Sequence, residues 1–233
     1  MHKIDIPDEV RERVIKRLGR LHVIESLVPA KTALLVVDMQ NYFMANGQFG
    51  CCPVARDIVP NVNRLAQALR AAGGHVVWIQ NAAPAETLES WANLHEMYSP
   101  ENKQRRLEGL TRDSNGYALW ESLEVQPQDA HVEKTRYSAF IRGASDVEPL
   151  LRDRGVDTVI VTGVATNVCC ESTARDAMML GFRTIMVADA NAAPSDAEHN
   201  ATLVNFMLFF GDVQHTDDVI GKLTENSSTV AAE

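Results

Sequence analysis

Three runs of consecutive apolar, largely β-branched residues constrain this chain most: Ala33-Leu34-Leu35-Val36-Val37, His75-Val76-Val77-Trp78-Ile79 and Thr158-Val159-Ile160-Val161-Thr162. A strand with one wet face alternates apolar and polar residues, whereas a strand apolar on both faces belongs in a sheet covered on both sides. Such sheets are parallel, because the covering helices are also the crossovers between strands. Weaker runs at 130–133, 184–187 and 213–215 bring the expected number of strands to about six. Between them, Ile58, Val62, Leu65 and Leu69 recur at helical spacing over 57–72, ahead of the Gly73-Gly74 stop. Ser145-Asp146-Val147-Glu148 has the form of a capping box, with Pro149 tolerable in the first turn. A third helix is expected from Thr166-Asn167 to Leu180-Gly181, and a fourth over 197–209 with Leu203, Phe206 and Phe210 facing inward. The alternation predicts an α/β fold: a three-layer, doubly wound, mainly parallel sheet with right-handed crossovers and helices on both faces.

The core domain is expected over 31–223, after an N-terminal helical extension (1–30) and before a flexible tail (224–233) rich in Ser, Thr and Ala. Residues 81–115 form a long, polar, irregular stretch that suits a lid or a subunit contact. The segment from Met1 to Leu18 mixes charges with Ile4, Ile6, Val10, Val14 and Ile15, which reads as an amphipathic helix and not as a signal-peptide core. No apolar run approaches the roughly 20 residues needed to cross a bilayer, so no membrane partner is expected.

The 233 residues carry 31 acidic and 22 basic side chains, a net charge of -9, which argues against nucleic acid as a partner. The densest basic cluster, Lys103-Gln104-Arg105-Arg106, is flanked by Glu101 and Glu108 and reads as a solvated face. The four cysteines fall in adjacent pairs, Cys51-Cys52 and Cys169-Cys170, a spacing that fits neither a local disulfide nor a zinc site. A reducing cytoplasm is the compartment this suggests, and the role of Cys51 and Cys52 stays open between packing and a place at a site mouth.

Ligands of an open parallel sheet bind beyond the carboxyl ends of its strands. Asp38 ends the first strong run, Lys134 ends Ala130-His131-Val132-Glu133, and Cys169 follows 158–162 through a Gly163-Val164-Ala165-Thr166 turn. Each has a plain reading: a strand-end Asp as a cap, a Lys as a solvent-exposed charge, a helical Cys as a small hydrophobe. On one rim, however, an acid, a cation and a thiol are the parts of nucleophilic hydrolysis. With Thr166 or Asn167 as N-cap, Cys169 falls in a first helical turn, where dipole and free amides would favour a thiolate and hold an oxyanion. Cys170 lies about 100° further round, on a row with Ala174 and Ala177 that looks like core.

The blocks Leu35-Val36-Val37-Asp38-Met39-Gln40-Asn41, Glu133-Lys134-Thr135-Arg136-Tyr137-Ser138-Ala139-Phe140 and Thr162-Gly163-Val164-Ala165-Thr166-Asn167-Val168-Cys169-Cys170-Glu171 resemble those of the isochorismatase-like cysteine hydrolases. The branch they most resemble contains ureidoacrylate amidohydrolase, N-carbamoylsarcosine amidase and the biuret and triuret hydrolases. The resemblance spans roughly 31–219. It implies a catalytic triad of Asp38, Lys134 and Cys169 and a non-proline cis peptide at Val164-Ala165. That bond would aim the backbone amides of Ala165 and Cys169 at an oxyanion. It further implies a small amide or ureido substrate contacted by Asn41, Gln80, Asn81 and Tyr137, and a dimer or tetramer. Nicotinamidase-type members carry a histidine-rich metal cluster after the second strand. Here that region reads Gln80-Asn81-Ala82-Ala83-Pro84, so neither a metal nor another cofactor is expected. The alternatives are an ether hydrolase of the isochorismatase type, a non-catalytic scaffold and a redox sensor using Cys169 and Cys170. The exact substrate is not decided by these residues.

Overall fold

A computed structural model describes the backbone of residues 1–230 and the side chains of residues 1–224. Six strands, β1 (Thr32–Val37), β2 (His75–Asn81), β3 (Ala130–Lys134), β4 (Thr158–Val164), β5 (Arg183–Ala192) and β6 (Asp212–Gln214), form one sheet in the order β3-β2-β1-β4-β5-β6. Every pairing is parallel. The helices are α1 (Asp8–Leu18), α2 (Asn41–Met44), α3 (Val59–Ala71), α4 (Thr87–Ser90), α5 (Ala92–Glu96), α6 (Pro100–Gly109), α7 (Val147–Asp153), α8 (Glu171–Met179), α9 (Asp196–Phe209) and α10 (Thr216–Val230).

The apolar runs form strands because both sides of each are buried. In β1, Ala33, Leu35 and Val37 face one core, while Leu34 and Val36 face the other. The first core takes α7, α8 and α9 through Leu151, Ala174, Ala177, Leu203 and Phe206; the second takes α3 through Val62, Leu65 and Leu69. Strand order reverses direction at β1, so β1 and β4 mark the switch point at which the fold presents a ligand crevice. The two strands approach closely there: a Cβ on Gly163 would lie 2.0 Å from the Val37 carbonyl oxygen, and its φ of +120° suits glycine alone. Any larger residue would push the turn carrying Cys169 away from the end of β1.

The N-terminal segment wraps the sheet. Val10 and Val14 of α1 enter the first core, Gly19 closes the helix with φ +80°, and Ile24 and Leu27 enter the second core. Between them the chain passes the edge strand β6, where Ile24 N donates to Asp212 (3.0 Å) and Gln214 donates to the Ile24 carbonyl (3.0 Å). The β6 edge is thereby covered.

Three local expectations change. The capping box does not form: Ser145 Oγ donates to the Ala139 carbonyl and accepts from Val147 N, leaving Asp146 as the N-cap residue. The helix after β4 begins as a π turn, Thr166–Cys170, before α8, so Cys169 does not sit in the first turn of an α-helix. Residues 81–115 are less irregular than their polarity suggests, since they hold α4, α5 and α6. The end of the expected tail, 231–233, lies outside the described residues, and the α10 backbone runs to Val230.

Candidate active site

Strand β1 ends at Val37, and Asp38 takes a left-handed φ of 54°, a conformation that costs a non-glycine residue about 1 kcal/mol or more and is most accessible to Asp and Asn. The strand's alternation breaks at this residue, and the carboxylate comes over to the side of the sheet occupied by Cys169. Lys134 is the last residue of β3 and, by alternation from Val132, faces the same side. Its Nζ donates to Asp38 Oδ2 at 2.8 Å and to the Arg136 carbonyl at 3.1 Å. Both side chains are fully buried, so each makes the other's charge tolerable. The Cys169 thiol, 4% exposed, approaches both of them, and Asp38 Oδ1 still lacks a completed hydrogen bond. The thiol is the group placed to supply that bond.

Burial raises the pKa of Asp38, and the Lys134 ammonium opposes the rise without cancelling it. Burial would lower that of Lys134, but the Asp38 carboxylate, with hydrogen bonds to it and to Cys169, outweighs burial and the ammonium keeps its proton more tightly than usual. Burial, followed by the adjacent carboxylate, pushes the Cys169 thiol up to about 12. The resting sulfur is therefore a thiol, contrary to the expected dipole-stabilised thiolate; it is buried beside a negative charge. Asp38, within hydrogen-bonding reach of that thiol, has a raised proton affinity. Cys170 is wholly buried, its Sγ toward the Thr162 carbonyl, and burial pushes its pKa well up. Cys52 packs in the second core, and Cys51 directs its Sγ to the Met44 carbonyl; all four cysteines are free.

Gln40, missed in the sequence although it stands two residues after Asp38, fixes the rim. Its side chain bonds both polar atoms of the Asn81 backbone, accepting from N at 2.7 Å and donating to O at 3.0 Å, and also donates to the Tyr117 carbonyl. Asn81 lies opposite Lys134 in the β2–β3 register, and its buried Oδ1 lacks a partner. Two expected substrate contacts go elsewhere. Gln80 alternates with Trp78 toward the second core and donates to the Tyr117 carbonyl, while Asn41 donates to the Asn115 carbonyl. Both side chains anchor the covering loop. Tyr137 stays beside the site, edge-on to Trp91 at 4.9 Å and bonded to Tyr98. Ala165 follows β4 across the Val164-Ala165 cis peptide that the resemblance implied. The turn beyond it is braced by a 2.8 Å bond between Thr166 Oγ1 and His199 Nδ1, with His2 stacked on His199 at 4.3 Å.

The cover consists of α4, α5 and α6 and the chain that follows, which returns to pair with the end of β1: Asn41 N donates to the Ala118 carbonyl and Trp120 N to that of Met39. It brings Arg106 and His95 to the site, both buried and both unflagged by the sequence reading. Arg106 in particular corrects the view of 103–106 as a solvated face. A concavity of about 860 Å³ beside β3, between Val132, Phe140, Arg142 and Leu180, contains no member of the triad. Among the described residues, no three His, Cys, Asp or Glu side chains converge as metal ligands, and no helix is long and apolar enough to cross a membrane.

A parallel sheet with Asp, Lys and Cys at its switch point defines a class of α/β hydrolase, and the sequence agrees: the Isochorismatase domain matches residues 32–218. The chain belongs to that family. Ureidoacrylate amidohydrolase RutB of Pseudomonas savastanoi pv. phaseolicola (strain 1448A / Race 6) is 35% identical over 231 residues, 92% of this chain and 91% of that protein. A crystallised cysteine hydrolase from Pseudomonas syringae pv. phaseolicola 1448A superposes with a TM-score of 0.80 at 31% identity, over 89% of this chain and 99% of its own. N-carbamoylsarcosine amidase from Thermoplasma acidophilum superposes with a TM-score of 0.64 at 25% identity, over 80% and 97% respectively.

Proposed function

We propose that the protein is a cysteine amidohydrolase that cleaves a C–N bond of a small ureido compound through a carbamoyl- or acyl-enzyme on Cys169. The observation that carries this is the buried thiol set against the Asp38–Lys134 pair. The chain is a hydrolase of carbon–nitrogen bonds other than peptide bonds, as its ureidoacrylate amidohydrolase relatives are.

Lys134 fixes the Asp38 carboxylate through Oδ2 and leaves Oδ1 for the proton of Cys169. The proton passes to Asp38 as the sulfur attacks the substrate carbonyl, so no thiolate stands unsupported in a buried site. The backbone amides of Ala165 and Cys169 take the oxyanion, each worth roughly 3–4 kcal/mol if it acts as other such donors do. The C–N bond breaks, Asp38 returns the proton to the leaving nitrogen, and a carbamoyl or acyl thioester remains. Water, deprotonated by Asp38, cleaves that thioester and restores the thiol. The buried Asn81 Oδ1 accepts from the ureido N–H groups, and Tyr137 closes the side of the pocket.

The test is ammonia release by chelator-treated protein from ureidoacrylate, biuret, triuret, N-carbamoyl amino acids and simple amides. Release from one ureido compound, lost in Cys169→Ser, is the expected result. Near-normal turnover by Cys169→Ala would overturn the scheme.

A further inference from the structure

Arginine is rarely buried without an acidic partner, because a desolvated guanidinium needs a counter-charge. Arg70 obeys the rule through Asp129, and the ion-paired arginines at 20, 64, 112, 152 and 175 likewise each reach an Asp or Glu. Arg106 departs from it. Only 5% exposed, it has no carboxylate within ion-pair distance among the described residues, and its Nε has no hydrogen-bond partner. It lies one helical turn before Leu110, which packs with Tyr42 and Ala83 over the ends of β1 and β2. The Tyr42 hydroxyl bonds the guanidinium, and its charge is felt at Asp38, His95 and Tyr137.

The charges around it leave a remainder. Asp38 and Lys134 cancel at 2.8 Å, and Glu133 is held by Arg112 and the Tyr117 hydroxyl. His95 is held below its usual pKa by burial and by the nearby Arg106 charge, so it offers Arg106 no counter-charge. Among the described residues, one positive charge, that of Arg106, stays uncompensated beside the site. Arg106 is not needed to keep Asp38 charged, since Lys134 already does so by direct contact.

We propose that Arg106 is the anion anchor of the substrate: its guanidinium receives a carboxylate at the end of the ureido compound remote from Cys169, so the site selects ureido acids over neutral ureas. Building on the ureido reading above, this narrows the substrate class. Arginine suits the task because its planar fork meets a carboxylate with two parallel hydrogen bonds, and the buried Nε is one prong of that fork.

The test compares 3-ureidopropionate with propylurea, two ligands of matched length that differ by the carboxylate. Binding is measured by calorimetry in a Cys169→Ala background, and ammonia release is measured in the otherwise native protein. The acid should bind roughly 10- to 100-fold more tightly than the neutral urea, the range for a charged hydrogen-bonded pair, and Arg106→Gln should erase that preference while propylurea binding changes little. Arg106→Lys, which keeps the charge without the fork, should retain an intermediate preference, and it serves if Arg106→Gln does not fold. Equal binding of the two ligands, or a preference that survives Arg106→Gln, overturns the anchor. Ammonia release from both compounds at equal kcat/KM also overturns it while leaving the amidohydrolase standing. No release from either, with the binding preference intact, removes the ureido amidohydrolase and keeps the anchor.

Discussion

Asp38, Lys134 and Cys169 are held by the ends of three strands of one parallel sheet, whereas Arg106, His95, Tyr98 and Trp91 are held by α5, α6 and the short turns beside them, laid over those strand ends. On the rim, backbone ladders fix Lys134 and the strand ends from which Asp38 and the turn of Cys169 leave, and Gln40 ties the ends of β1 and β2 together. Over the rim, position rests on side-chain contacts: Arg136 lies over Trp91 at 5.0 Å, Trp91 meets Tyr137, and Phe49 meets Tyr98. In the proposed function the chemistry thus falls on the part held by the sheet, and the proposed anion anchor on the part laid over it.

Substitutions on the rim and on the cover should therefore differ in kind. Cys169→Ala is expected to lower kcat by at least about 10⁴-fold with thermal stability little changed, because it removes the nucleophile and not a packing element. Lys134→Met should cost about 3–5 kcal/mol in urea denaturation, since it leaves the Asp38 carboxylate buried without its cation. A loss below 1 kcal/mol would mean that the pair is hydrated and the rim less closed than described.

His199, which braces the turn before Cys169, gives a pH test. Burial, with His2 beside it, lowers its pKa from 6.5 to about 4, so the unfolded chain binds more protons than the folded one between those values. Stability should rise with pH across that window and fall as pH drops from 6.5 toward 4, by on the order of 3 kcal/mol in all. Urea midpoints of His199→Asn should show a flatter slope there; an unchanged slope would assign the dependence to other groups. The acid limb of kcat/KM should follow Asp38, with a midpoint above the ordinary 3.8 because burial raises its proton affinity and the base is lost at higher pH. A midpoint below 3.8 would show that Lys134 dominates burial. The smallest effect belongs to the cover. Trp91→Ala should raise KM by less than about 10-fold with kcat nearly unchanged, matching the roughly 0.5–1.5 kcal/mol of an aromatic pair.

The rim was legible from the sequence because its determinants are local. Runs apolar on both faces make parallel strands, and a parallel sheet brings the residues after its strands to one edge. The six strands and the placement of Asp38, Lys134 and Cys169 beyond them were accordingly expected before any coordinates, and the cis peptide was expected from the family resemblance alone. Side-chain partners were less legible. Gln80 and Asn41 stand in the expected blocks, and their side-chain amides bond the covering loop, because the sequence does not say to which partner an amide will bond. Cys169 was assigned a dipole-stabilised thiolate from one expected helix start, but a π turn and full burial beside Asp38 made it a thiol.

The sequence by itself therefore determined the sheet and the strand ends, since hydrophobic periodicity and chain connectivity suffice for them, and it singled out Cys169 as the candidate nucleophile through the family resemblance. Only the tertiary structure decided that Arg106, in a polar stretch flanked by glutamates, is buried over the site with no carboxylate at ion-pair distance among the described residues. A side chain's burial and its missing counter-charge depend on segments distant in the chain, here those carrying Tyr42 and Ala83, and no local pattern records them.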